Sequence, residues 1–431
     1  MSLLATLFLL VAVVFITCGS RHTAMVTFLC TCCYMTVDEG IDIGVSFPII
    51  RLVLMAGILR VFMKGESLSG GLNLMDKIMI LWTAWMFFSS IFHKWQPGSG
   101  PVYTVGILLD TTGFYFLIRT FCHNTHDLKK VICALCLIIL PVALLMIVEQ
   151  IFHKNIFSVF GSREVPILRD GRYRAQGPFN HAILAGVIGA SCFPLALGIW
   201  QSHKKIATIG IASSILMIIS SASSTPLLSF AFSIFALTLW KVKPVVKPLV
   251  MSLIPGYFIL SFLMNKPGYW VISRIDLTGS STGWHRSFLI EQTFKHFEEW
   301  WLFGTDKTRH WMPNQGFISE AHTDITNQYI SYGVAGGLLA IIMLAILMSK
   351  AFKSASLMVT DEEKSGQNAF LFWCLGATLF SHTSSSLAIS YFGQSIFFFW
   401  LPIALLASFY NYETEEIQKE EGYTYPEFAK L

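Results

Sequence analysis

The stretch Glu320 to Leu339, E-A-H-T-D-I-T-N-Q-Y-I-S-Y-G-V-A-G-G-L-L, changes character halfway along. Its first half is crowded with hydrogen-bonding groups: His322, Thr323, Asp324, Thr326, Asn327, Gln328 and Tyr329. Its second half runs without a break into an apolar helix, Ile330 to Met348. Polar chemistry placed where a hydrophobic helix begins predicts a site at a membrane surface.

The rest of the chain agrees with that placement. Charged residues make up 13% of it and apolar residues 54%, with 36 phenylalanines. Apolar runs near the ~20 residues needed to cross a bilayer recur from end to end. A soluble chain of this length would split into about two to four domains. This composition predicts instead an all-α polytopic membrane protein, a single integral domain over residues 1–431. About 12–13 transmembrane helices are expected by length and hydropathy. They fall near Leu3–Thr17, Ala24–Thr36, Ser46–Met63, Leu74–His93, Val102–Phe121, Lys130–Phe152, Asn180–Trp200, Ile206–Ser221, Pro226–Trp240, Val246–Met264, Thr326–Ser349, Asn368–Ser384 and Ile389–Phe409. The first two are short enough to form a hairpin or an interfacial element. Met1–Ile16 has no basic n-region and no small-x-small site, so no cleaved signal peptide is expected. Most of the nine cysteines lie in apolar segments. Cys133 and Cys136, spaced C-x-x-C, lack a second ligand pair and read as small apolar residues. A net charge of +4 implies no nucleic-acid partner.

Basic residues set the orientation. Arg21, Lys64, Lys129 with Lys130, Lys204 with Lys205, Lys241 with Lys243, and Lys350 fall in alternate connections, which are assigned to the cytoplasm. Two long loops, about residues 153–179 and 265–323, then share the opposite face, and residues 412–431 form an acidic cytoplasmic tail. The first long loop breaks the trend. It carries Arg163, Arg169, Arg172 and Arg174 on the side expected to be poor in positive charge, and cations kept there argue for an anion.

Three motifs are candidates for chemistry. Arg169-Asp-Gly-Arg-Tyr-Arg-Ala-Gln-Gly-Pro-Phe-Asn-His181 leads into a helix for which Asn180 is the expected N-cap. Arg172 and Arg174 beside that helix start would hold an anion, because guanidinium forks match phosphate oxygens. Gly283-Trp-His-Arg286 opens a second helical stretch, with Leu289, Ile290, Phe294, Phe297, Trp300 and Trp301 expected on one face as an interfacial roof. His322 is the side chain suited to take a proton near neutral pH, with Asp324 and Asn327 close enough in sequence to orient its ring. His285, Asn180 and His181 are supporting candidates. Arg51, a cation about a turn inside an early helix, is a fourth candidate anion ligand after Arg172, Arg174 and Arg286.

These blocks resemble the bacterial O-antigen polymerase and O-antigen ligase superfamily of polytopic glycosyltransferases. The likeness rests on Arg174-Ala-Gln-Gly-Pro-Phe-Asn-His, on Gly283-Trp-His-Arg286 followed by Phe303-Gly-Thr, and on Ala321-His-Thr-Asp-Ile-Thr-Asn-Gln-Tyr with Gly333, Gly336 and Gly337. Thr323 stands where the family often has Asn, and Ser223-Ser-Thr-Pro where a Ser-Arg-Gly turn is frequent. The resemblance implies a GT-C-like fold in the bacterial inner membrane with its active site facing the periplasm. The implied donor is an undecaprenyl-pyrophosphate-linked glycan, and the acceptor is another glycan or lipid A-core. Arg172, Arg174, Arg286 and Arg51 would hold the pyrophosphate and His322 would be the catalytic base, with no metal and no cofactor. A flippase and a chain-length regulator are the partners it implies. Two other readings compete: a metal-dependent transferase using Asp38, Glu39 and Asp42, and a transporter using the intramembrane charges Asp110 and Glu149.

Overall fold

The structure, a computed structural model, describes residues 1–42, 44, 46–94, 100–275, 283–313, 321–365 and 368–410. The expected tail at 412–431 lies outside them. Helix follows apolar sequence throughout. Helices α1 (Leu3–Cys18) and α2 (Arg21–Tyr34) each start on a serine cap, Ser2 accepting from the Ala5 N–H and Ser20 from the Thr23 N–H. A short strand pair, β1 (Gly40–Asp42) and β2 (Ser46–Pro48), leads into α3 (Ile49–Lys64). Helix α4 (Leu74–Ser90) opens with a capping box between Asn73 and Asp76. Helices α5 (Gly100–Leu108) and α6 (Phe114–Phe121) form one span around a π-helical turn, Leu109–Gly113. Helix α7 (Thr125–Phe152) is followed by a hairpin, β3 (Ile167–Arg169) with β4 (Arg172–Arg174).

The second half continues with α8 (Ala182–Gly198), α9 (Lys204–Ser220), α10 (Ser224–Thr238) and α11 (Val246–Met264). A 3-10 turn at Gly268–Arg274 precedes α12 (Gly283–Lys295) and α13 (Phe297–Trp300), and another lies at Arg309–Trp311. Helix α14 (Gln328–Ser365), α15 (Ala369–Ser385) and α16 (Ser395–Ala407) complete the bundle. Every segment expected to be an apolar helix contains one, but α14 runs sixteen residues past the expected end at Ser349 and α16 begins six residues after the expected start at Ile389. Among the described residues, four helical stretches are both long and apolar enough to cross a membrane: Gly100–Phe121, Thr125–Phe152, Ser224–Met264 and Gln328–Glu362. Leu3–Cys18, Ala182–Gly198 and Ser395–Ala407 are shorter apolar helices.

Helix α11 shows what solvent this chain expects. None of its residues is buried, and Met251, Ile254, Phe258, Phe262 and Leu263 are each at least 66% exposed. A helix whose apolar surface stays unburied by the rest of the fold is unfavourable in water and favourable in lipid. Elsewhere a continuous core forms where α8 packs on α9, α10 and α15, and α14 on α4. At one end of α4 and α6, Arg119 and Asp76 form a fully buried pair at 2.8 Å, with the Tyr115 hydroxyl donating to the same carboxylate.

The feature that places the candidate site is a break in α14. Gly336 and Gly337 leave helical geometry, Gly337 at φ 73, ψ −175. The turn after α13 docks into the break. The Leu338 N–H donates to Trp301 O at 2.8 Å and the Thr305 N–H donates to Val334 O at 2.8 Å. A Cβ on Gly337 would stand 2.1 Å from Leu302 O, so only glycine permits this approach. This positive-φ, extended-ψ backbone is open to glycine almost alone and makes Gly337→Ala cost roughly 1–3 kcal/mol, and the clash adds to it. A lowered melting temperature in detergent and faster proteolysis within residues 301–313 are the expected results. Gly256→Ala, at a helical site with nothing within 4 Å, is the control expected to change neither.

Candidate functional site

The hairpin β3–β4 pairs Ile167 with Arg174, Leu168 with Tyr173 and Arg169 with Arg172. Its two-residue turn, Asp170 at φ 50 and Gly171 at φ 73, has the positive φ angles that tight hairpins need. The Ala175 N–H then bonds Ser220 O at 3.0 Å, tying the segment to the end of α9. From within α7 the Glu149 carboxylate accepts the backbone N–H of Gln176 at 3.1 Å and of Gly177 at 2.7 Å. Arg174 is thereby carried to the start of α10, where it is 6% exposed and its Nε donates to Ser223 Oγ at 3.0 Å. Its Nη2 bonds the same oxygen.

Arg286 arrives at the same helix start from α12. It is 9% exposed, and its Nη2 donates to Thr225 Oγ1 at 3.1 Å. Its Nε is buried with no hydrogen-bond partner among the described residues. Ser223 is the N-cap residue of α10 but makes no side-chain cap bond. Its hydroxyl accepts from Arg174 and donates to Ser221 O at 2.7 Å. Two buried guanidiniums therefore flank a helix N-terminus whose own partial charge is positive. Burial, then the neighbouring Arg169 and Arg286, push Arg174 down to about 10. Burial and Arg169 also lower Arg286, against the pull of Asp324. An anion at this point would relieve all of these terms at once.

His322 lies on the other side of Asp324. Its Nδ1 is 3.4 Å from the hydroxyl of the fully buried Thr308, which also accepts the Thr323 N–H at 3.1 Å. Burial lowers its pKa below the ordinary 6.5, with Asp306 raising it and His93 lowering it. Two residues on, the backbone oxygen of Asp324 accepts from His285 Nε2 at 3.2 Å, and its carboxylate faces His285 and Arg286. Asp324 is thus the link between the histidine and the arginines.

Several expected roles are corrected. Asn327 does not orient His322. Its Oδ1 caps α14, accepting the N–H of Tyr329 and Ile330, and its Nδ2 donates to Leu387 O. Asp324 answers to the arginine side, and Asp306 with His93 take the place next to His322. Asn180 is not the cap of α8; His181 is, its Nδ1 accepting the Ile183 N–H at 3.1 Å, while Asn180 Oδ1 is buried against Gly393. Arg172 stays exposed beside the hairpin turn, and Arg169 is the hairpin arginine whose charge is felt by both Arg174 and Arg286.

Arg51 is not brought to this cluster. It forms a two-pronged pair with Asp110, at 3.0 and 2.6 Å, in a separate cavity of about 370 Å³ between α3, α5, α14 and α16. The face of α12 also differs from expectation. Arg286, Leu289, Gln292 and Thr293 are buried and Phe294 is 64% exposed, because the helix packs on the Gly268–Arg274 turn and on a small core of Leu289, Trp300, Trp311 and Val334. The acidic turn does not gather a metal site among the described residues. Glu39 accepts the Ser2 N–H and Asp42 the Gly44 N–H. Glu149, which organises the arginine segment, was legible in sequence only as an intramembrane charge.

Compared with known proteins, the chain matches no family model and no curated sequence.

The cap on α8 gives a pH test. Burial, then Arg174, Arg169 and Arg163, lower His181 to about 4 from the ordinary 6.5. The folded state favours the neutral ring, so this contribution to stability is complete above about 6.5 and is lost progressively as pH falls toward 4. His181→Asn, which can cap through its side-chain oxygen and does not titrate, is expected to flatten the fall of melting temperature in that window. Equal slopes for the two proteins would refute the assignment.

Proposed function

We propose that the protein is an inner-membrane glycosyltransferase of the O-antigen polymerase and ligase type, with about 12–13 crossings in a GT-C-like arrangement and its site on the periplasmic face. It transfers a glycan from an undecaprenyl-pyrophosphate carrier to a sugar hydroxyl, and joining of repeat units is the favoured form. One observation carries the reading. Of the four arginines buried among the described residues, Arg60 and Arg119 pair with Glu66 and Asp76 at 2.7 and 2.8 Å, whereas the bonds described for Arg174 and Arg286 go to hydroxyls. Buried cations held without a bonded carboxylate, around a helix N-terminus, are the preorganised charge that a departing pyrophosphate requires.

The chemistry then follows from the residues. The acceptor hydroxyl oxygen bonds to the anomeric carbon while the bond from that carbon to the pyrophosphate oxygen breaks. His322 takes the hydroxyl proton. Arg174, Arg286 and the first N–H groups of α10 hold the charge that collects on the pyrophosphate, and Asp324 keeps the two halves in register. No metal or cofactor is needed for these steps. For the transporter reading, the Arg51–Asp110 pair is the kind of paired charge it expects, but Glu149 accepts backbone N–H groups and the sequence shows no internal repeat.

With purified protein and a lipid-linked oligosaccharide donor, His322→Ala is expected to lower the transfer rate by about 10²–10⁴. Because burial lowers His322, the wild-type rate should hold below pH 6.5 and fall only as pH drops through that lowered value; the variant should lose this limb. Arg286→Ala should lower the rate by about 10²–10³, and Arg286→Lys should not restore it fully, since an ammonium lacks the fork. If His322→Ala instead stopped movement of the donor across the membrane, the enzyme reading would fail. Glycan analysis of a deletion strain separates the acceptors: single-repeat products mark a polymerase, and full-length unattached chains mark a ligase.

A further inference from the structure

The loop that carries α12 and α13 holds a second constellation, which the transfer chemistry does not use. His296 Nδ1 lies 2.7 Å from Glu299 Oε1, and His310 Nε2 lies 2.8 Å from Glu299 Oε2. The three potential ligand atoms all fall within 4.8 Å of one another. Only the fold brings them together. His296 sits between the two helices, Glu299 in α13, and His310 in the 3-10 turn Arg309–Trp311. Trp311 supports two of them. Its Nε1 donates to Glu299 Oε2 at 3.0 Å, and its ring lies nearly parallel to that of His296, at 10° with centroids 5.7 Å apart.

We propose that His296, Glu299 and His310 form a binding site for a divalent transition ion of the zinc class. Two imidazole nitrogens and a carboxylate are a ligand set that zinc favours, whereas calcium and magnesium prefer oxygen. Glu299 presents one oxygen to each histidine, so both of its oxygens face the point where an ion would sit. His310 and Glu299 are 49% and 37% exposed, which gives an ion a route in and leaves room for water ligands. The Trp311 contacts fix ligand orientation from outside, as supporting groups around metals commonly do.

Such an ion would bolt the α12–α13 corner to the turn that begins beside Thr308. That threonine contacts both His322 Nδ1 and the Thr323 N–H. Its effect on transfer would therefore be positioning, exerted through Thr308 on the proposed base. Binding itself is independent of the transferase reading and is measured without any glycan.

The test uses full-length protein in detergent, purified through a tag free of histidine, stripped with chelator and titrated with zinc sulfate by calorimetry. One equivalent per chain is expected, with a visible d–d band on cobalt substitution and no competition from magnesium. His310→Ala and Glu299→Gln, both at part-exposed side chains, should remove the one-equivalent site while the melting temperature of the stripped protein stays put. Trp311→Phe should weaken binding about 10-fold. Absence of one-equivalent binding in the wild type would overturn the proposal, leaving a hydrogen-bonded His–Glu–His cluster. Undiminished binding in the His310→Ala, Glu299→Gln double variant would overturn it as well.

Discussion

The break in α14 is the constraint on which the arrangement of the candidate site depends. A loop as long as the one between α11 and α14 has no intrinsic reason to adopt one position, and ordering it costs conformational entropy. Two backbone hydrogen bonds and the close approach at Gly337 give it a seat. Helix α4 reaches the same seat: the Trp85 indole donates to Gly336 O at 2.7 Å, and His93 Nε2 donates to Phe303 O at 2.9 Å. Stacking of Phe92 on Phe303, with ring centroids 4.1 Å apart, covers the junction. Because Thr308 follows this junction by only a few residues, His322 inherits its position from a backbone interlock rather than from its sequence neighbours.

Electrostatics explains why the arginine pair tolerates burial here. The small hydroxyl of Ser223 accepts from Arg174. A further cation at that point would add repulsion to a cluster in which Arg169 already lowers Arg174 and Arg286, and Arg286 lowers Arg174. Ser223, the N-cap residue of α10, makes no side-chain cap bond and so gives its hydroxyl to Arg174 and to Ser221 O instead.

Much of this was legible in the sequence, and the boundary of legibility has a physical cause. Apolar runs located the helices, since burial in lipid or in the bundle demands them whatever the tertiary details. The polar start of α14 and the arginines of the β3–β4 loop stood out against hydropathy and topology. Pairings across long separations could not be read. Arg51 looked like an available cation because its partner Asp110 lies 59 residues away on a π-helical turn. Asn327 and Asn180 both have cap chemistry, yet only Asn327 caps, because the chain enters α8 one residue later than its composition suggests. The face of α12 inverted at Phe294 because its periodicity fits either lipid or a protein surface, and the Gly268–Arg274 turn occupies one side.

The two carboxylates within helices show how an intramembrane charge can serve structure rather than passage. Moving an ion or a lipid headgroup through a bundle requires charges whose partners exchange. Asp110 meets Arg51 through both oxygens, a geometry that resists exchange. Glu149 meets consecutive N–H groups of Gln176 and Gly177, and Asn155 and Ser162 hold the Gly177 carbonyl from the other side. That clamp fixes the chain two residues beyond Arg174, so a carboxylate on α7 determines where a guanidinium meets α10. A charge used in this way is buried because it orders the backbone beside Arg174, and the cost of desolvating Glu149 falls on the side of that ordering.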